Sequence, residues 1–290
     1  MPAANLTTKE VARLLHVSEA TVKRWADDGA LRSEKTVGGH RRFSIQAIAR
    51  VRRERGLGQE TKLAGRPTAR KRTAIKPLRS PAAFLDLILR GDEVEAGAAL
   101  IEAYLNHHTL TSIFDTTVTK AMHEVGELWF KGSISVADEH LATRVVLSAL
   151  QKLRGIIVPA EPTGFMAICC GIEGDLHELP VHLAETILES EGWEVMNLGP
   201  NTPLFALSEM VKQKRPQLVC ISARTLADLD RAAIEYGQLC KFTTKLNAAV
   251  IVGGEAFRDH NPRPRFPAEL YAENFEAVSS LARALAKKRA

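Results

Sequence analysis

The chain has 290 residues, 45% of them apolar, and a formal net charge of +5. That length suits two or three domains with real cores. The opening MPAANLTTKEV lacks a signal peptide's basic-then-apolar pattern, and no apolar run approaches the roughly 20 residues that span a bilayer. A cytoplasmic protein with no membrane partner is expected. The charge is unevenly divided: residues 1–79 hold 19 Lys and Arg against 7 Asp and Glu, and residues 80–290 hold 20 against 27. A basic amino-terminal third on a mildly acidic body points to a nucleic-acid arm.

The first predicted module is 1–56. Thr7 with Glu10 three residues later makes a capping box, so Leu6–Glu10 reads as a helix start, with Val11, Leu14 and Leu15 at helical spacing. Ser18 caps a second helix whose inner face is Val22 and Trp25, leaving Thr21, Lys23 and Arg24 near its start or on its other faces. Two short helices with a tight turn form a helix-turn-helix, whose second helix enters the major groove. Gly38-Gly39 then lets the chain reverse, and His40-Arg41-Arg42 faces outward beside Phe43 as a wing for phosphates. The segment resembles the winged helix-turn-helix of the MerR family. Thr21, Lys23, Arg24, His40, Arg41 and Arg42 are therefore the expected DNA-binding residues.

Residues 57–80 are a basic linker, with no acid between Glu60 and Asp86. Such a stretch cannot bury enough surface to fold alone; it suits a tail along DNA or a plain tether. Residues 81–160 carry helical periodicity at Phe84–Leu89, Val94–Leu105, Leu110–Trp129 and Ile134–Ile156, a four-helix bundle in outline. In residues 161–290, apolar runs at Phe165–Cys170, Trp193–Asn197, Leu218–Ser222 and Ala249–Val252 alternate with helical stretches, and Leu270–Ala272 adds an edge strand. That alternation predicts an α/β, doubly wound parallel sheet. Cys169, Cys170 and Cys220 fall inside strand runs and read, with Cys240, as reduced thiols.

Ligands of such sheets sit beyond the carboxyl ends of the strands. Asp175-Leu176-His177, Ser222 and Gly253-Gly254 all follow strand ends. A histidine there can give one ring nitrogen to a metal while a carboxylate two residues earlier holds the other. Bundle then sheet, with Asp-x-His, Ser-x-x and Gly-Gly in this order, resembles the cobalamin-binding unit of methionine synthase and related corrinoid proteins, which have a flavodoxin-like sheet. The resemblance implies His177 as the lower cobalt ligand, Asp175 and Ser222 behind it, and Gly253-Gly254 beside the nucleotide tail. The motif's last glycine is here Pro180, and the leucine of its Ser-x-Leu is Arg224.

Trp129 is followed, after nine residues, by Glu139-His140. This spacing is similar to that of the CarH-type photoreceptors, which join a MerR-like domain to a cobalamin unit. The resemblance implies that Trp129, Val136, Glu139 and His140 cover the upper group of adenosylcobalamin. It implies a non-enzymatic, light-responsive repressor, with His140 as the expected second cobalt ligand once the upper group has gone. No heptad run follows residue 56, so assembly to a dimer or tetramer on repeated operator half-sites is expected from the carboxyl-terminal modules. Two other readings stand beside this one. They are a cofactor-free dimerisation module, to which Pro180 and Arg224 lend weight, and a corrinoid methyl-carrier subunit of an enzyme.

Overall fold

The computed structural model of the chain describes residues 5–15, 17–35, 39–44, 47–48, 51, 80–258 and 261–289. Gly38 of the wing and all of the basic linker but Ser80 lie outside them.

In the first module, Thr8–Leu15 (α1) and Glu19–Asp27 (α2) are the two helices. The Thr7 hydroxyl accepts from the Glu10 amide, and the Glu10 carboxylate accepts from the Thr7 amide at 2.7 Å, which is the expected capping box. Ser18 caps α2 by accepting from the Thr21 amide. Leu6, expected to open the helix, is in a strand instead. Asn5–Thr7 (β1) pairs antiparallel with Arg41–Ser44 (β3), and Glu34–Lys35 (β2) pairs with the other edge of β3. The cap at Thr7 keeps the residues before it extended, and β3 supplies their partner. Val11, Val22, Trp25, Leu31 and Phe43 form the small core between helices and sheet.

The bundle comprises Pro81–Leu89 (α3), Glu93–Leu105 (α4), the composite helix at 110–130, and Val136–Arg154 (α7). The third helix is not the regular one its periodicity predicts. It runs as Leu110–Ile113 (α5), a π-helical turn at Phe114–Val118, and Thr119–Phe130 (α6). Within the turn the Thr116 hydroxyl donates to the Ser112 carbonyl at 2.6 Å, a bond that competes with the regular ladder. The turn also swings Asp115 out of the bundle. Its two carboxylate oxygens accept from the amides of Phe275 and Glu276 at 2.8 and 3.2 Å, where the last helix, Phe275–Arg289 (α11), begins.

The carboxyl-terminal sheet is parallel throughout: Met166–Gly171 (β4), Glu194–Asn197 (β5), Leu218–Ser222 (β6), Ala249–Gly253 (β7) and Leu270–Ala272 (β8), in the order β5-β4-β6-β7-β8. This is the flavodoxin-like order, and its switch point lies between β4 and β6. Alternate strand residues feed two cores. Ile168, Cys170, Val219 and Ile221 pack on Leu204–Lys214 (α9) and Leu229–Leu246 (α10). Ala167, Cys169, Leu218 and Cys220 pack on Leu179–Ser190 (α8) and α11, and that core continues into the bundle. At that seam Arg154, at the end of α7, donates to Glu185 and Glu189 of α8 at 2.9 and 2.6 Å. All four cysteines are free thiols.

Candidate functional site

Two loops meet at the switch point. The one after β4 carries Asp175 and His177, and the one after β6, which begins beyond Ser222, carries Arg224. Asp175 is only 2% exposed. One of its oxygens accepts from His177 Nδ1 at 2.6 Å and from the His177 amide at 3.0 Å; the other accepts from the Arg224 amide at 2.5 Å. Burial pushes the Asp175 carboxyl up, but the hydrogen bonds from the His177 ring and the Arg224 and His177 amides outweigh it, and it is held below the ordinary carboxylate range.

The His177 side chain is 48% exposed on the rim. The tautomer that completes its bond to Asp175 has the proton on Nδ1, so Nε2 keeps a lone pair. A carboxylate behind the ring fixes its tautomer and its plane. One imidazole is too few donors for a bare ion but sufficient for a metal already encircled by a macrocycle's nitrogens. The donor set therefore fits a corrinoid.

The hold of the Arg224 amide on Asp175 could not be read from the residues alone. A backbone donor carries no side-chain signature, so the departure at this position leaves the bond intact. Pro180 sits in the first turn of α8, where its missing N–H costs nothing. Ser222 is half-buried at the end of β6, in register with Gly171 and Gly253. Gly254 has φ +99°, and a Cβ there would lie 2.3 Å from the Ala223 carbonyl oxygen. The chain itself thus already requires that no side chain stand at this position. A cavity of about 300 Å³ opens on the same rim, lined in part by Glu173, Gly174, Asn201, Leu226 and Arg231.

The bundle presents the rest. Trp129, near the end of α6, is 48% exposed, and Val136 is also exposed at the start of α7. Glu139 accepts from the Thr143 hydroxyl and lies 3.6 Å from His140 Nε2. Both helices reach the rim loops. A Cβ at Gly126 of α6 would lie 3.7 Å from Arg224 Nη2. Arg144 of α7, one turn beyond His140, lies 3.5 Å from Glu178, the residue after His177. These contacts bring Trp129, Val136, Glu139 and His140 to the rim end of the molecule without joining any of them to His177.

On the first module, Lys23 and Arg24 of α2 and His40 beside the wing are exposed, while Thr21 is half-buried with its hydroxyl 2.9 Å from that of Ser18. Arg41 departs from the outward-facing expectation. It shares a strand face with buried Phe43 and turns onto α2, donating to the Lys23 carbonyl at 3.0 Å and pairing with Asp27.

Comparison with known proteins agrees with this layout. Residues 6–56 match the helix-turn-helix domain family, and residues 82–154 match the B12 binding domain family. The HTH-type transcriptional repressor CarA of Myxococcus xanthus is 26% identical over 95% of this chain and 96% of its own. Dimethylamine corrinoid protein 1 of Methanosarcina acetivorans is 25% identical over 66% of this chain and 91% of its own. The solved structure of the Methanosarcina barkeri monomethylamine corrinoid protein shares the fold, with a TM-score of 0.59 at 17% identity over 70% of this chain and 96% of its own.

Proposed function

We infer that this chain, which joins a helix-turn-helix domain to a B12-binding domain in the manner of CarA, is a cobalamin-dependent transcriptional repressor and not an enzyme. The observation that carries the cobalamin half is the buried Asp175 carboxylate on His177 Nδ1 at the switch point. The domains run 1–56 for DNA binding, 57–80 as a basic linker, 81–160 as the cap and 161–290 as the cofactor fold.

In this reading His177 Nε2 would hold the cobalt, and Asp175, itself fixed by the Arg224 amide, orients the ring. Ser222 and Gly253-Gly254 line the ground below. Trp129 and Val136 would give the group an apolar cover, and Glu139 and His140 would give that cover polar edges. Bound as adenosylcobalamin, the cofactor supplies a cobalt–carbon bond that light can break. The residues on α6 and α7 sense what lies over the rim because both helices touch the loops that carry Asp175, His177 and Arg224.

Thr21, Lys23, Arg24, His40 and Arg42 form the DNA face, with Arg41, expected there too, turned inward onto α2. A single domain of this size makes few base contacts, so a homodimer or tetramer on paired half-sites is required for specificity. The cytoplasm is the compartment of this activity. The match to the corrinoid carrier covers 66% of this chain, whereas the match to the repressor covers 95% and so takes in the DNA-binding domain.

Gel filtration with absorbance detection, with and without adenosylcobalamin, in darkness and after green light, tests the proposal. The expected result is corrinoid co-eluting with a dark oligomer that shrinks after light. Colourless protein would refute the cofactor. Coloured protein of constant size would refute the light response. His177→Ala is expected to lose the spectral signature of lower imidazole ligation, and a variant that keeps it would overturn the ligand assignment.

A further inference from the structure

We propose that Arg41 is a positioning residue: it locks the wing to the recognition helix, and the wing's contact with DNA phosphates falls to its neighbours. The inference rests on the DNA-binding reading above and reassigns one residue within it.

Strand geometry comes first. Side chains alternate across a strand, so Arg41 shares a face with Phe43, and Arg42 lies on the other. Phe43 is fully buried in the core formed with α1 and α2. Arg41 therefore emerges on the inner face, beside α2. Its guanidinium completes two bonds there, one to the Lys23 carbonyl at 3.0 Å and one to the Asp27 carboxylate. The side chain is only 22% exposed, against 60% for Asp27. Asp27 is the last residue of α2 and Lys23 lies one turn before it, so one planar fork spans the carboxyl-terminal turn of that helix. A carbonyl oxygen has two lone pairs, so one inside a helix can still take a side-chain donor.

The arrangement does two things for DNA binding. It neutralises the acid that α2 would otherwise present beside a polyanion. It also fixes the angle between wing and recognition helix, so that Arg42 and His40 on one side and Lys23 and Arg24 on the other meet the backbone in a fixed register. Lysine cannot replace this fork, because a single ammonium cannot bridge a carbonyl and a carboxylate in the same fixed plane.

The test uses the full chain with adenosylcobalamin in the dark. Two probes are used: a random-sequence 40-base-pair duplex, and the duplex the protein enriches from a random pool. Affinity is followed by fluorescence anisotropy across a salt series, and a thermal melt checks folding. The tether predicts that Asp27→Asn, Arg41→Ala and Arg41→Lys each weaken both probes by about tenfold. It predicts an unchanged slope of log affinity against log salt, and a double Asp27→Asn/Arg41→Ala variant no weaker than either single change.

A phosphate contact predicts the opposite pattern. Asp27→Asn would tighten binding by removing a negative charge, Arg41→Lys would be tolerated, and Arg41→Ala would reduce the salt slope by about 0.9. Any of those three results overturns the assignment. Wild-type protein that binds neither probe would refute the DNA reading itself, and this assignment with it.

Discussion

His177 and Gly254 show how differently single residues can be read. The Asp-x-His spacing is local, and a carboxylate two residues back can reach only one ring nitrogen, so the pairing was legible before any fold was known. The second bond to Asp175, from the Arg224 amide 49 positions away, was not, because it depends on strand order and carries no side-chain identity. Gly254 was legible as a close approach but not as an approach to Ala223. Its positive φ and the 2.3 Å that a Cβ would leave to the Ala223 oxygen make Gly254→Ala costly. The expected loss is about 2 kcal/mol or more in urea unfolding. A cost below a few tenths would show that the loop relaxes freely.

At the scale of elements, hydrophobic periodicity located the bundle helices and the strands, because one face of each is buried. It did not reveal β1, which is too short for a period, nor the π-helical turn at Phe114–Val118, which leaves the apolar spacing nearly unchanged. The purpose of that turn is visible in Asp115, which caps α11 from outside the helix. Burial pushes the Asp115 carboxyl up, and the two backbone amides draw it down by less. Asp115→Ala is expected to cost about 1–2 kcal/mol. It should also raise amide hydrogen exchange in the first turn of α11 more than in α7. Equal exchange in both helices would argue that the cap is unimportant.

Across the whole molecule, the charge division separated a DNA-binding arm from an acidic body before any contact was seen, while the seam between bundle and sheet was invisible. His182, Glu185 and Glu189 are neighbours on α8, but Arg154 and Asn197 reach them only when α7 and β5 pack on that helix. Burial pushes the Glu185 carboxyl up, but bonds from His182, Arg154 and Asn197 overcome it and bring it down to about 2. The stability that ionised Glu185 contributes is therefore complete above its ordinary value of 4.5 and is lost as pH falls toward 2. His182, raised chiefly by Glu185, has the opposite sign: its contribution is complete below 6.5 and fades as pH rises through the folded value. Urea midpoints should fall between pH 4.5 and 2, and Glu185→Gln should flatten that limb. An unchanged limb would place the acid sensitivity elsewhere. The same seam has a mechanical consequence. α7 is fastened tightly to α8 at Arg154 and loosely, at Arg144, to Glu178 just before α8, where the gap is 3.5 Å and the Arg144 side chain is exposed. Ten residues of helix separate the two fastenings, about 15 Å. The firmer fastening holds the carboxyl-terminal end of α7, and Val136, Glu139 and His140 lie beyond the looser one, toward the opposite end of the helix.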